Sequence, residues 1–232
     1  MINFNDKKAV ASVLQFTNVN PTLTKKELIE HLELCKEYVF NAAMIPPCYV
    51  SFAKDYLKGT SIKVASILNF PTANDSLSMK MAALEQLVAD GVDEFDFPPN
   101  PGYLIGGQED LYFEEMKQIT EYAHQHGVGV KVMLEFGFLN EQQKIRAVEL
   151  ACKANVDWLK NSSGWGEGGS AATVEDVILI KKHMFGISKI KVSGKVNSLE
   201  KLIALMEAGA SLAGTSSAVK IMQGLVGDVK AY

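Results

Sequence analysis

Four charged side chains stand where a buried strand should be apolar: Asp96 in VDEFDF, Lys131 in GVKVML, Lys160 in VDWLKNSSG and Lys191 in IKVSG. Each sits in a short run with a period of two. Glu94 and Asp96 alternate with Phe95 and Phe97. Lys131, Met133 and Glu135 alternate with Val132 and Leu134. Trp158, Lys160 and Ser162 flank Leu159, and Lys189, Lys191 and Ser193 alternate with Ile190 and Val192. Successive side chains of a strand point to opposite faces. If Phe95, Val132, Leu159 and Ile190 face a helix layer, the aspartate and the three lysines face the other way, together. A lysine is nucleophilic only when neutral, so its pKa must fall from about 10.4 toward about 7, and desolvation beside a second cation does that. Such an amine attacks a carbonyl to form a Schiff base. The protonated imine then withdraws electrons, so a C–C bond one carbon away breaks or forms. The competing reading is structural, with Asp96 and Glu135 neutralising lysines to fix strand register. Burying an ammonium costs several kcal/mol, roughly, which is a large cost for register alone.

The elements that would position these residues alternate along the chain. Strand candidates are SVLQF (12–16), FNAAMI (40–45), KVASIL (63–68), EFDFP (94–98), GVKVML (129–134), WLKNS (158–162), IKVSG (190–194) and SLAGT (211–215), each followed by a helical pattern. Asn140 and Thr173 are N-cap candidates, the latter with Asp176 three residues on, and Gly127 is a helix stop. Strands alternating with helices imply parallel pairing and right-handed crossovers. Eight such units predict an α/β fold, a closed (β/α)8 (TIM) barrel, preceded by a short helix near 5–10. An open doubly wound sheet is the competing architecture. With 232 residues and no linker, 1–232 reads as one domain. Neighbouring strands lie about 4.8 Å apart, and sites in such barrels sit at the C-terminal ends of the strands.

Phosphate sites in barrels often use the loops after strands seven and eight. Here these are SGKVNS (193–198) and GTSSAV (214–219). Gly214 permits close backbone approach, and Ser216 and Ser217 lie at a helix start, where free N–H groups favour an anion. The loop GWGEGG (164–169) reads either as a cover for substrate or as a plain connection. His31, His124, His126 and His183 all fall in polar helix stretches and are expected in solvent. Cys35, Cys48 and Cys152 form no C-x-x-C pair and no metal cluster, so reduced thiols in a cytoplasmic protein are expected, with no metal or cofactor. The net charge of −4 argues against nucleic acid or an anionic membrane as the main partner. MINFNDKKAV has no apolar h-region and is not a signal peptide, and no apolar run approaches a membrane span.

Taken together, these stretches resemble the deoxyribose-phosphate aldolase family over nearly the whole chain. VDEFDF (92–97), KVMLEFGFL (131–139), DWLKNSSG (157–164), GGSAATVEDV (168–177), KVSG (191–194), GTSS (214–217) and NFP (69–71) are each similar to a family segment. The resemblance implies a metal-free class I lyase acting on a small phosphorylated sugar and a short aldehyde, often a dimer. The implied reaction is reversible cleavage of 2-deoxy-D-ribose 5-phosphate to acetaldehyde and D-glyceraldehyde 3-phosphate. It implies Lys160 as the Schiff-base lysine, Lys191 as the second lysine that favours the neutral amine, Asp96 in the proton relay and Lys131 supporting the charge network. Gly194, Ser216 and Ser217 would hold phosphate, joined by Lys195 and Gly214, with Thr17 also at the substrate. The chain departs from the family pattern at several places, among them Pro46–Pro47, which alters the exit of the second strand. Gln15 stands where an aspartate helps read a substrate hydroxyl. Lys195 and Asn197 replace a glycine and an arginine, Asn161 replaces a threonine, and Trp165 takes a position that is basic or aromatic in other members. Two other functions stay open at this level: aldol chemistry on a different sugar phosphate, and non-catalytic binding of a sugar phosphate.

Overall fold

The computed structural model describes residues 2–224. Eight parallel strands close into a barrel in chain order: β1 (Leu14–Thr17), β2 (Ala42–Met44), β3 (Lys63–Ile67), β4 (Glu94–Phe97), β5 (Gly129–Met133), β6 (Trp158–Lys160), β7 (Lys189–Val192) and β8 (Leu212–Thr215). The last pairing, of Gln15 with Gly214, seals the cylinder. This is the predicted (β/α)8 barrel, and the open-sheet alternative is excluded.

The helices are α1 (Lys7–Ala11), α2 (Lys25–Tyr38), α3 (Val50–Tyr56), α4 (Leu77–Ala89), α5 (Pro101–Ile105), α6 (Glu109–Gln125), α7 (Glu141–Lys153), α8 (Val174–His183), α9 (Leu199–Ala208) and α10 (Ala218–Met222). Their starts follow local chemistry. Asn140 and Gln143 form a reciprocal capping box, as do Thr24 and Glu27, and the Thr173 hydroxyl accepts from the N–H of Asp176. Gly127, with φ of 70°, follows the C-cap of α6. The helical pattern after the eighth strand, 218–229, is a helix as far as Met222, with Gln223 as its C-cap, and 225–229 lies outside the described residues. The short helix expected near 5–10 is α1, capped by Asp6.

Two kinds of core result. Between strands and helices, Phe95, Val132, Leu159 and Ile190 are all buried against the helix layer, as their alternation predicts. Inside the barrel, the lining is divided. The β1–β3 side is small and apolar, formed by Ala42, Met44 and Ala65 with Val19 above them. The β4–β7 side is charged. One expectation fails here: His31 is not in solvent. Helix α2 lays it on the Phe16 ring, centroids 4.1 Å apart, and burial pushes its pKa down to about 4. His124 is half-buried and contacts Asp157 at 2.9 Å.

Candidate active site

Register brings the charged side chains together. Asp96 pairs with Lys131 across β4 and β5, and Lys160 pairs with Lys191 across β6 and β7. Lys160 is the last residue of β6 and reaches toward the C-terminal mouth of the barrel. Asp96, Lys131 and Lys191 show no exposure, and Lys160 shows 6%. One oxygen organises the group: Asp96 Oδ2 accepts from Lys160 Nζ at 2.8 Å and from Lys191 Nζ at 2.7 Å. Lys131 Nζ stands 3.7 Å from the other oxygen, Oδ1.

Sequence reasoning missed the partner that Lys131 prefers. Its Nζ lies 2.7 Å from Glu94 Oε1, while Lys63 reaches Glu94 Oε2 at 3.1 Å from the N-terminal end of the barrel. The signal was present, since Glu94 is two residues before Asp96 on one strand and therefore faces the same way. Gln15 completes the cluster from β1. Its Oε1 accepts from Lys191 at 2.6 Å, and its Nε2 donates to Asn41 Oδ1 at 3.0 Å and to Glu94 Oε1.

The electrostatics follow from crowding ions in a dry interior. Burial pushes Asp96 up, but the ammonium groups of Lys160, Lys191 and Lys131 outweigh it and hold the carboxyl below the usual range. Glu94 is treated the same way, burial opposed by Lys131 and Lys63, and falls to about 2. Lys191 is lowered to about 7. Burial is the main cause, Asp96 opposes it, and the charges of Lys160 and Lys131 add to it. An amine titrating near 7 beside a second amine can exchange protons at neutral pH.

Above the cluster opens a pocket of about 370 Å³, counting space open to solvent. Its polar wall includes Asp96, Lys160, Ser163, Ser193, Thr215 and Thr17. Met44, Ile67, Phe70 and Met133 form an apolar wall. Thr17 is thus at the pocket, as expected. Gln15 is not. It is fully buried, and its polar atoms are turned to Lys191, Asn41 and Glu94 instead.

The phosphate candidates are distributed around the rim. Gly214 lines the pocket, and a Cβ there would lie 3.1 Å from Lys191 Cε, so its bare backbone makes room for that amine. Gly194 has φ of 97°, and a Cβ there would meet Ser170 O at 2.3 Å, so only glycine fits. Lys195 follows it in a left-handed turn and is exposed. Ser216 is half-buried and Ser217 buried, on the turn between β8 and α10, where the Ser217 N–H donates to Thr215 Oγ1 at 2.9 Å. These four lie on adjoining loops just beyond the pocket lining.

The 164–169 loop is pinned rather than loose. Gly164 N–H donates to Ser162 Oγ at 2.9 Å, Trp165 N–H to Ser163 Oγ at 3.0 Å, and the Ser163 N–H to Glu135 Oε1 at 3.1 Å. The Trp165 ring meets Phe70 edge-on, centroids 5.9 Å apart. Asn161 turns away from the pocket side, its Oδ1 accepting from the Ser193 N–H at 3.1 Å.

A buried amine pair bridged by one carboxylate, under a small pocket at the C-terminal mouth of a barrel, is an arrangement suited to carbonyl chemistry. Comparison with known proteins agrees with it. No family model matches the chain. It is 37% identical over 217 residues to deoxyribose-phosphate aldolase of Thermococcus gammatolerans, covering 93% of this chain and 96% of the relative. It is 36% identical over 221 residues to deoxyribose-phosphate aldolase of Thermococcus kodakarensis, covering 94% and 98%. A solved deoxyribose phosphate aldolase from Aeropyrum pernix, tetrameric in that structure, matches with a TM-score of 0.86 at 23% identity, covering 94% of this chain and 92% of that one, a likeness of fold. With near-complete coverage on both sides at 37% and 36% identity, the chain belongs to the deoxyribose-phosphate aldolase family.

Proposed function

We propose that the protein catalyses reversible cleavage of 2-deoxy-D-ribose 5-phosphate to acetaldehyde and D-glyceraldehyde 3-phosphate, as a class I, metal-independent aldehyde-lyase. The observation that carries this reading is the contact of Lys160 and Lys191 with the same oxygen of Asp96, beneath the pocket.

Lys160, at the pocket floor, is the nucleophile. Lys191 gives up a proton near neutrality, and transfer of the Lys160 proton to it across Asp96 Oδ2 frees the attacking amine. The amine adds to the C1 aldehyde of the open-chain sugar, and loss of water leaves a protonated imine. A base then removes the C3 hydroxyl proton. The C2–C3 bond breaks, its electron pair moves into the imine, and glyceraldehyde 3-phosphate leaves. The remaining enamine takes a proton at C2, and water releases acetaldehyde from Lys160. Asp96 and Lys191 hold and return these protons, while Lys131 and Glu94 keep the base of the cluster paired. The imine is the electron sink, so no metal or cofactor is needed.

The apolar wall of Met44, Ile67 and Phe70 suits the two-carbon fragment. Gly194, Lys195, Ser216 and Ser217, with Gly214, hold the phosphate on the other side, where backbone N–H groups and an exposed lysine supply positive charge. We also infer a homo-oligomer. A solved family member is tetrameric, and Ile178, Phe185 and Ile187 are large apolar side chains left about half exposed on this chain. Free thiols at Cys35, Cys48 and Cys152 fit a reducing, cytoplasmic setting. Among the described residues no helix is long and apolar enough to cross a membrane.

The test is turnover. Purified protein given deoxyribose 5-phosphate is expected to release acetaldehyde, read by a coupled alcohol dehydrogenase assay, at a rate unchanged by EDTA. Release from a different sugar phosphate but not from this one assigns the other substrate. No release from any member of a sugar-phosphate panel, with binding retained, leaves a binding protein.

A further inference from the structure

The buried cluster has an unequal count of charges. Lys131, Lys160 and Lys191 contact two carboxylates, Glu94 and Asp96, and none of the five is more than 6% exposed; Glu135, equally buried and near Lys160, is pushed up by burial toward its neutral form. Fully ionised, the group carries one ammonium more than it has anions, in a place where an uncompensated charge is costly. Gln15 stands at the centre of this imbalance. It is fully buried and contacts both halves of the cluster. Its carbonyl end faces the Lys191 ammonium position at 2.6 Å. Its amide end faces two acceptors, Asn41 Oδ1 at 3.0 Å and Glu94 Oε1. A carboxylate could serve the first contact but has no hydrogen for the other two. An amide serves all three and adds no charge.

We propose that Gln15 is a positioning residue that joins the Glu94–Lys131 pair to the Asp96–Lys160–Lys191 triad through a neutral bridge, keeping the cluster one anion short so that an amine is uncharged at neutral pH. The inference rests on the aldolase reading above and concerns how its lysines are held ready. The groups that face Lys191 are Gln15 from β1, Asp96 and, further off, Glu94 from β4, Lys131 from β5, Lys160 from β6 and the bare backbone of Gly214 from β8. Asp96 alone among its direct contacts is an anion, and Lys160 shares that same oxygen. This agrees with the lowering of Lys191 to about 7. A carboxylate in place of the Gln15 amide would favour the ammonium and restore the missing charge.

The test compares pH profiles of kcat/KM for deoxyribose 5-phosphate cleavage in wild type, Gln15→Glu and Gln15→Met. Activity rises as pH passes upward through the titration of the amine that must lose its proton. In Gln15→Glu the acid limb is expected to move up by about one pH unit or more, because an anion now favours the ammonium. In Gln15→Met it is expected to move down, because the ammonium loses an acceptor. A role in packing alone would lower both rates without moving the limbs in opposite directions. Limbs that stay at the wild-type pH in both variants, or that move the same way, overturn the proposal. If Gln15→Glu does not fold, Gln15→Met decides it: a downward limb supports the proposal and an unmoved one overturns it. A wild type with no turnover defeats the aldolase reading, whereas a wild type with a clear acid limb and unmoved variants defeats this inference alone.

Discussion

Lys160→Leu abolishes turnover of deoxyribose 5-phosphate and leaves the barrel folded. The variant removes the atom that bonds to substrate, so kcat/KM is expected to fall by at least ~10⁴-fold, about 5 kcal/mol of barrier. Stability should not fall with it. Lys160 lines a pocket that also has an apolar wall of Met44, Ile67 and Met133, so a leucine there adds no unpaired polar group. Asp96 keeps Lys191 at 2.7 Å and is not left unpaired. Replacing a buried ion-pair member with an apolar side chain, when the remaining charge stays satisfied, is often neutral or stabilising by about 1–4 kcal/mol. Urea unfolding alongside the assay separates the two quantities. Retained activity with the midpoint unchanged would remove Lys160 from the chemistry.

Asp96→Asn should harm both activity and stability. The carboxylate has no exposure and is the shared contact of two amines, with a third at 3.7 Å from its other oxygen. Without it, Lys160 and Lys191 have no common anion and no bridge for a proton. The rate is expected to drop by about 10²–10⁴-fold, the usual range for losing a positioned acid–base group. Breaking a buried pair from one side costs about 3–5 kcal/mol, because the partner charge stays behind. The pH dependence has a definite sign. The lost interaction needs Lys191 charged, and that amine is lowered to about 7, so the stability gap between wild type and variant is largest below pH 7, where Asp96 is still ionised, and shrinks as pH rises through that point. Unfolding curves at pH 5.5 and pH 9 read this directly. A gap that widened with pH would show that the asparagine acts through something other than stranded ammonium groups.

Much of this site could be seen in the residue pattern because a strand has only two faces. Once Phe95, Val132, Leu159 and Ile190 are assigned outward, Asp96, Lys131, Lys160 and Lys191 have one place to go, and the barrel confirms it. Helix starts were legible for a similar reason. Thr173 and Asn140 carry side chains that satisfy free N–H groups a fixed number of residues on, and both do so.

What the pattern could not supply was contact between strands that are not neighbours. Gln15 on β1 meets Glu94 on β4 across the interior, a meeting produced only by closure of the barrel. The family pattern marked Gln15 only as a departure from an aspartate, and nothing in it showed that the amide would bridge Lys191 and Glu94. Glu94 was visible as inward-facing, yet its choice of Lys131 over a more distant partner depends on stagger between β4 and β5. His31 shows a different limit. It sits among charged residues in EHLELCKEY, so the local sequence looks solvated, but α2 turns that position onto Phe16. The 164–169 loop is the reverse case. Its glycines suggest freedom, while Ser162, Ser163 and Glu135 hold it by hydrogen bonds that composition does not reveal.

The central claim is that Lys160, and not another amine of the cluster, bonds to substrate. Incubation with acetaldehyde followed by borohydride fixes any imine as a secondary amine, and peptide mass spectrometry locates it. The account predicts a single ethyl adduct, of one acetaldehyde per chain, on the peptide containing Lys160. An adduct on Lys191 or Lys131 with Lys160 unmodified, or no adduct at all under conditions of turnover, would contradict it.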